Sequence, residues 1–304
     1  MHWKNVLVEY KEMGNLGLTE NIGVWLAKRG VLLIGYDIEL GAFQPHRDRE
    51  YCETDRFLEM MVPLHQELGA PCTLFVCGLT LDRYWEAFEP VAGDATFEFA
   101  NHTYSHLLLK TVVTQDRTGE FDSYEPHASM DELVDDIENA QATIESLTGE
   151  RPVGFCGPWG YAMGLSDRWD LIRVLCDAGI RYCRTYARRM DERDLYDLSI
   201  LPFWYSMQGF PDVLEIPFGE PCDVHVRPGR YPTVEAYSQR LDEVLAKVAR
   251  NNYVYSYATH DWSSPVGDPD LNHIRRLING ARELGIEIMT HREYYRRSRA
   301  LQMN

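Results

Sequence analysis

Val31-Leu32-Leu33-Ile34-Gly35-Tyr36-Asp37-Ile38-Glu39 decides how this chain folds. Its first six residues form a continuous apolar run, the pattern of a strand buried on both faces. Further runs of this kind occur at Thr73–Val76, Thr96–Ala100, Pro152–Phe155, Ile180–Cys183, Val213–Pro217, Tyr253–Ala258 and Ile286–Met289. Amphipathic helical patterns lie between them. The clearest opens on Ser129 with Glu132 three residues on, a capping box. Its apolar face runs Leu133, Ile137, Ala140, Ile144 and Leu147, and Gly149 ends it. Two more helices are expected over about Thr233–Arg250 and Asp270–Leu284. Alternating strands and helices with no break in composition imply one parallel-stranded α/β domain. Seven or eight such units around one core suggest a barrel, complete or distorted. A doubly wound open sheet is the alternative, but no Gly-x-Gly-x-x-Gly follows the first strand. Leu107–Ala128 is long and polar after its first residues. It reads either as a lid or as a surface excursion.

The 304 residues carry 30 basic and 47 acidic side chains, a formal net charge of -17. That acidity argues against nucleic acid, whose binding needs clustered Lys and Arg to release counterions. Only five residues are Lys. No apolar stretch approaches the ~18–20 residues of a membrane span, and the first residues have no apolar core of signal-peptide length. The expectation is a cytoplasmic protein without an integral membrane segment. Seven Cys with no Cys-x-x-Cys pair fit that expectation. Cys72 and Cys77 read as core residues.

In a parallel α/β barrel, polar residues at the C-terminal strand ends build the site. Asp37 and Glu39 are two apart and point to one face of an extended chain. Two such carboxylates repel unless a cation or a proton lies between them. The third run ends Asn101-His102-Thr103-Tyr104-Ser105-His106. Histidines four apart stack on one face of a helical turn and suit two corners of a metal site. Two His and a carboxylate leave open coordination positions, as catalytic metal sites do. The seventh run ends Thr259-His260-Asp261-Trp262, where His260 is either a ligand or a general acid. After the fourth run comes Cys156-Gly157-Pro158-Trp159-Gly160, too rich in Gly and Pro to continue a strand. Trp159 and Trp262 offer flat walls of the kind that stack on sugar rings.

Gly-Tyr-Asp-Ile-Glu, Asn-His-Thr-Tyr-Ser-His, Gly-Pro-Trp-Gly and Thr-His-Asp-Trp resemble, in order and spacing, the motifs of the NodB-like polysaccharide deacetylases. The resemblance runs from about Val31 to Tyr295. It implies a distorted (β/α) barrel of seven or eight parallel strands over residues 31–304, with residues 1–30 as an extension packed on it. It further implies a metal-dependent deacetylase. Asp37 matches the family's catalytic base. Glu39 matches the acidic ligand in a carboxylate-x-carboxylate variant, and the reverse assignment, with Asp37 on the metal, is the alternative. His102 and His106 match the metal-binding pair, and His260 the general acid. The metal expected for two imidazoles and a carboxylate is Zn²⁺, with Co²⁺, Ni²⁺ or Fe²⁺ as alternatives. Substrate contacts are implied for the backbone near Tyr104, for Pro158, Trp159 and Gly160, and for Trp262.

One departure stands out. Where the family has an Arg paired with the catalytic Asp, this chain has Cys156. Another cation is therefore expected beside Asp37: Arg184 first, after the fifth run, and Arg227 second. Arg151 starts its strand and belongs to the opposite end of the barrel. The implied reaction is hydrolysis of an acetyl or formyl group from an amino sugar, in a small or lipid-linked saccharide. The alternatives are hydrolysis of a non-sugar C–N bond, as in allantoinase-like relatives, and a saccharide-binding protein without turnover.

Overall fold

Alternation along β1 (Val31–Ile38) sets the architecture. Leu32, Ile34 and Tyr36 join the core beneath the outer helices, whereas Val31 and Leu33 pack into a second, interior cluster. Period-two alternation continues that inward row through Gly35 to Asp37, so the first carboxylate stands at the mouth of the barrel. The computed structural model describes residues 29–43, 50–115, 121–189, 198, 200–226 and 230–303. All but Arg29 and Gly30 of the expected extension lie outside these residues, as do Arg227 and residues 116–120 of the long polar segment.

The strands that follow are β2 (Cys72–Val76), β3 (Phe97–Asn101), β4 (Val112–Gln115), β5 (Phe121–Tyr124), β6 (Gly154–Ala162), β7 (Tyr182–Arg188), β8 (Phe203–Tyr205), β9 (Phe210–Glu215), β10 (Val254–His260) and β11 (Glu287–Met289). The main helices are α1 (Thr54–Leu68), α2 (Gly78–Phe88), α3 (Met130–Thr148), α4 (Trp169–Asp177), α5 (Val234–Asn251), α6 (Asn272–Glu283) and α7 (His291–Gln302). Neighbours in the sheet run β10-β1-β2-β3-β6-β7-β9-β8, with β11 beside the first half of β1. Seven strands of this path are parallel, and β8 is antiparallel to β9. All eight apolar runs of the sequence form strands.

Two thin seams make the barrel a distorted one. β3 and β6 share one register pair, Asn101 with Phe155. Beyond β9 the chain meets β10 through a single bridge, Phe218 with Ser256, while the Phe218 N–H donates to Tyr186 O at 3.0 Å. One expectation needs correction. β6 does continue through the Gly-Pro stretch. Its register with β7 jumps from Cys156–Arg184 to Tyr161–Tyr186, so Gly157–Gly160 bulge outward instead of ending the strand. Within the long polar segment, β4 and β5 pair as an antiparallel hairpin. β8 carries no signal that its three residues would reveal.

The helices close locally as their sequences imply. Ser129 Oγ accepts from the Glu132 N–H and the Glu132 carboxylate accepts from the Ser129 N–H, completing the capping box of α3. Thr233 caps α5 by accepting from the Ala236 N–H. Each such cap contributes about 1 kcal/mol.

Candidate metal centre and active site

Glu39 follows β1, and His102 and His106 follow β3. Glu39 Oε2 lies 3.1 Å from His102 Nε2 and 2.9 Å from His106 Nε2. His102 Nδ1 lies 2.9 Å from the Cys156 carbonyl. A carbonyl only accepts, so Nδ1 carries the hydrogen and Nε2 presents its lone pair when the ring is neutral. The His106 Nε2 is buried and faces the same carboxylate oxygen. Three electron-pair donors thus face one point inside a buried pocket, all within 4.8 Å of one another. Such an arrangement repels itself unless a cation or protons fill the gap. Two imidazoles and one carboxylate form the donor set of an open divalent-metal site, so these residues fit the metal that the resemblance implies. Burial raises the Glu39 carboxyl, but positive charge and hydrogen bonds from His106 and His102 outweigh it and hold Glu39 well below its usual value.

The histidines do not meet on a helical turn, as their spacing suggested. Thr103 and His106 are both left-handed, with φ of 63° and 60°, and their chain makes an irregular bend. Such residues cost of order 1–3 kcal/mol each unless the surroundings fix them. Here Asp136 of α3 fixes them: its Oδ1 accepts from the Tyr104 N–H at 2.7 Å and its Oδ2 from Ser105 Oγ at 2.5 Å. Asn101 ties the other end, donating to Ile137 O and Gln141 Oε1 and accepting from the Thr103 N–H.

Asp37 is outside the three-donor cluster. Its Oδ1 accepts from Arg184 Nη2, and its Oδ2 lies 4.0 Å from His260 Nε2. Arg184 is fully buried. Its guanidinium lies between the rings of Phe75 and Phe218, at 4.3 and 4.7 Å from their centroids. Nη2 also reaches Cys156 Sγ at 3.0 Å. Burial opposes the guanidinium charge, but Asp37 outweighs it and raises the Arg184 pKa. Gly35 makes room for this side chain: a Cβ there would stand 3.0 Å from Phe75, 3.2 Å from His291 and 3.3 Å from Arg184 Nη1.

His260 ends β10. Its Nδ1 is 2.8 Å from Asp223 Oδ1, and its backbone N–H donates to Asp223 Oδ2 at 3.0 Å. Burial disfavours the imidazolium, but the Asp223 charge and hydrogen bond prevail and raise His260 well above its ordinary value. Asp223 in turn falls to about 2: burial opposes this, and the charge and hydrogen bonds of His260 decide it.

The remaining expected residues divide. Trp262 is buried, and its Nε1–H donates to Glu39 Oε1 at 2.8 Å, so it orients the carboxylate instead of forming an open wall. Trp159 is at the surface, stacked on Tyr124 of β5 with centroids 4.9 Å apart. Phe43 bridges the two sides, 5.2 Å from His106 and 6.0 Å from Trp262. Pro158 and Gly160 shape the bulge, where Trp159 and Gly160 take φ of 71° and 68°. A Cβ on Gly160 would lie 2.6 Å from Ala187 Cβ. Tyr104, whose neighbouring backbone is the expected substrate contact, is itself bonded within the fold. Its amide is held by Asp136, and its hydroxyl donates to Asp82 at 2.9 Å.

Three carboxylates escaped sequence reasoning: Asp136, Asp223 and Asp261. Asp261 accepts from Thr54 Oγ1 at 2.6 Å and from the Glu39 and Leu40 amides, so it holds the turn that carries Glu39. Burial, aided by the Glu39 charge, pushes its carboxyl up to about 7. Asp261 alone had a signal, since it sits inside the Thr-His-Asp-Trp stretch.

The family profile for polysaccharide deacetylase matches residues 48–182, less than half of the chain. It includes His102, His106 and Cys156 but not Asp37, Glu39, Asp223 or His260. No curated protein sequence matches. Among solved structures, a Mycobacterium smegmatis protein assigned as a polysaccharide deacetylase superposes with a TM-score of 0.61. It is 15% identical, over 90% of this chain and 92% of that one. The Puue allantoinase gives 0.62 at 15% identity, over 88% and 89%. BA3943, a CE4 family pseudoenzyme from Bacillus anthracis, gives 0.52 at 13% identity, over 88% and 66%. The resemblance to the NodB-like polysaccharide deacetylases therefore holds in profile and fold.

Proposed function

We propose that this chain is a metal-dependent hydrolase that removes an acetyl or formyl group from the nitrogen of an amino sugar, free or in a small or lipid-linked saccharide. One observation carries the reading. The convergent Glu39, His102 and His106 donors are flanked by Asp37 on its Arg184 and by His260 on its Asp223. A divalent ion held by those three donors, Zn²⁺ by default and Co²⁺, Ni²⁺ or Fe²⁺ otherwise, supplies Lewis acidity and lowers the pKa of bound water.

The chain's own residues provide the rest. Asp37 takes the water's proton, and Arg184 keeps it ionised and aimed. His260 donates a proton from Nε2 to the departing amine. Asp223 holds Nδ1–H and so fixes which nitrogen faces the site. His260 Nε2 lies 4.0 Å from Asp37 Oδ2, so the acid and the base border the same point of the site. The exposed Trp159 ring offers a face for a sugar. The reading without turnover rests on Cys156 standing where the family has Arg, and Arg184 beside Asp37 removes most of its force.

Hydrolysis of a non-sugar C–N bond is the second reading, favoured by the equal likeness to an allantoinase fold. Acetate and formate release from a panel of N-acylated amino sugars, with allantoin in parallel and metal-stripped protein as control, separates the readings. Ring opening of allantoin to its open-chain acid, with no acetate or formate released from any sugar, would overturn the sugar assignment.

A further inference from the structure

We propose that Cys222 Sγ, Asp223 Oδ1 and His260 Nδ1 form a second cation site, suited to a soft divalent ion such as Zn²⁺ or Cd²⁺, and that filling it withdraws His260 from proton transfer. The three donors come from two places, the loop after β9 and the end of β10, and lie within 4.8 Å of one another. Asp223 Oδ1 is 3.2 Å from Cys222 Sγ and 2.8 Å from His260 Nδ1. Around tetrahedral zinc, with bonds of ~2.0–2.3 Å, donors stand roughly 3.4 Å apart. A small opening of the cluster therefore suffices. This centre shares no residue with the first, and it uses the opposite edge of the His260 ring from the one that faces Asp37.

Charge supports the assignment. Asp223 Oδ1 now accepts two hydrogens, one from the thiol and one from imidazole Nδ1. A divalent cation replaces both: the S–H and Nδ1–H protons leave to solvent, and thiolate plus carboxylate neutralise the ion. A neutral cluster suits so buried a place, since Cys222 is 4% and Asp223 5% exposed. The thiolate distinguishes the centre chemically, because sulfur selects Zn²⁺ and Cd²⁺ over harder ions. His260 would then be a neutral imidazole bound through Nδ1. Giving up its Nε2 proton would leave an imidazolate, so it is a far weaker acid than the imidazolium.

The effect on turnover rests on the function proposed above, whereas binding does not. Full-length protein first receives one equivalent of Zn²⁺ and is then titrated with Cd²⁺, following the ultraviolet thiolate-to-cadmium charge-transfer band. The expected result is a band that saturates at one further equivalent, is lost in Cys222→Ser and persists in Glu39→Gln. No band in the wild type, or an undiminished band in Cys222→Ser, overturns the site. Turnover is read beside it, each variant against its own rate before Cd²⁺. The wild-type rate should fall at least tenfold as the band grows, and the Cys222→Ser rate should hold. Equal inhibition of both overturns the link to His260. A full band in a chain that releases no acyl group upholds the site and fails only the functional reading.

Discussion

Arg184 of β7 places Nη2 on Asp37 Oδ1 of β1, although these strands are not neighbours in the sheet. The side chain crosses the barrel interior past Gly35, and the cation comes from the strand next to the one that carries Cys156. Removing it should leave a buried carboxylate without its partner. Arg184→Met is expected to lose about 3–5 kcal/mol of stability, the cost of breaking a buried pair. Arg184→Lys should fold but turn over more slowly, since one ammonium cannot copy a planar fork set between two rings. Metal content, read by elemental analysis, should stay unchanged in the Lys variant. Loss of metal there would mean that Arg184 supports the centre and not Asp37.

Glu39, His102 and His106 should hold one divalent ion per chain. His102→Ala or Glu39→Gln is expected to abolish stoichiometric binding in calorimetric titrations, and exhaustive chelation should stop turnover. Binding should also raise the melting temperature, because the ion favours the folded chain. Full activity in chelated protein would refute the assignment.

His260→Ala should reduce turnover by roughly 10²–10⁴, the range of general acid–base catalysis, with the first metal retained. The pH profile carries a sign. Asp223 raises the His260 pKa, so the protonated acid persists above the ordinary imidazole value of 6.5. Activity should therefore fall with rising pH only beyond that value. Asp223→Asn removes the charge, and the basic limb should move to lower pH. An unmoved limb would assign it to another group.

The β4–β5 hairpin brings Tyr124 onto Trp159 at the surface. Tyr124→Ala should change the ranking of saccharide substrates and shift melting by a few degrees at most. A collapse of stability without any change in ranking would make the hairpin a structural brace.

Below the site, His65 is fully buried. Its Nδ1 lies 2.7 Å from Ala70 O and its Nε2 2.8 Å from Tyr36 Oη. Burial lowers its pKa to about 4, against the ordinary 6.5. The unfolded chain takes up this proton as pH falls through 6.5, and the folded chain only near 4. Stability from neutral His65 is thus full above 6.5 and declines as pH drops toward 4, by about 3 kcal/mol at most. Denaturant titrations between these limits should show a shallower pH slope in His65→Gln than in the wild type. Equal slopes would place the titration elsewhere.

Much of this is legible in the chain itself. Apolar runs of four to six residues specify buried strands, and Ser129 with Glu132 specifies a helix start, because both depend on residues that are neighbours along the backbone. The acidic pair after Tyr36 and the histidine pair after Asn101 mark their strand ends for the same reason. Tertiary structure decided what joins them. Asp223 reaches His260 across 37 positions, Asp136 pins the His102–His106 bend from a separate helix, and Arg184 meets Asp37 across 147. No local pattern encodes such pairs, since a lone Asp in a loop reads as a solvated surface group. The same holds for Trp262, which reads as an open aromatic wall until the fold turns its N–H onto Glu39. Local periodicity fixed where strands end and which faces are apolar. Closure of the barrel fixed which charges lose their water together, and that desolvation makes their pairing obligatory.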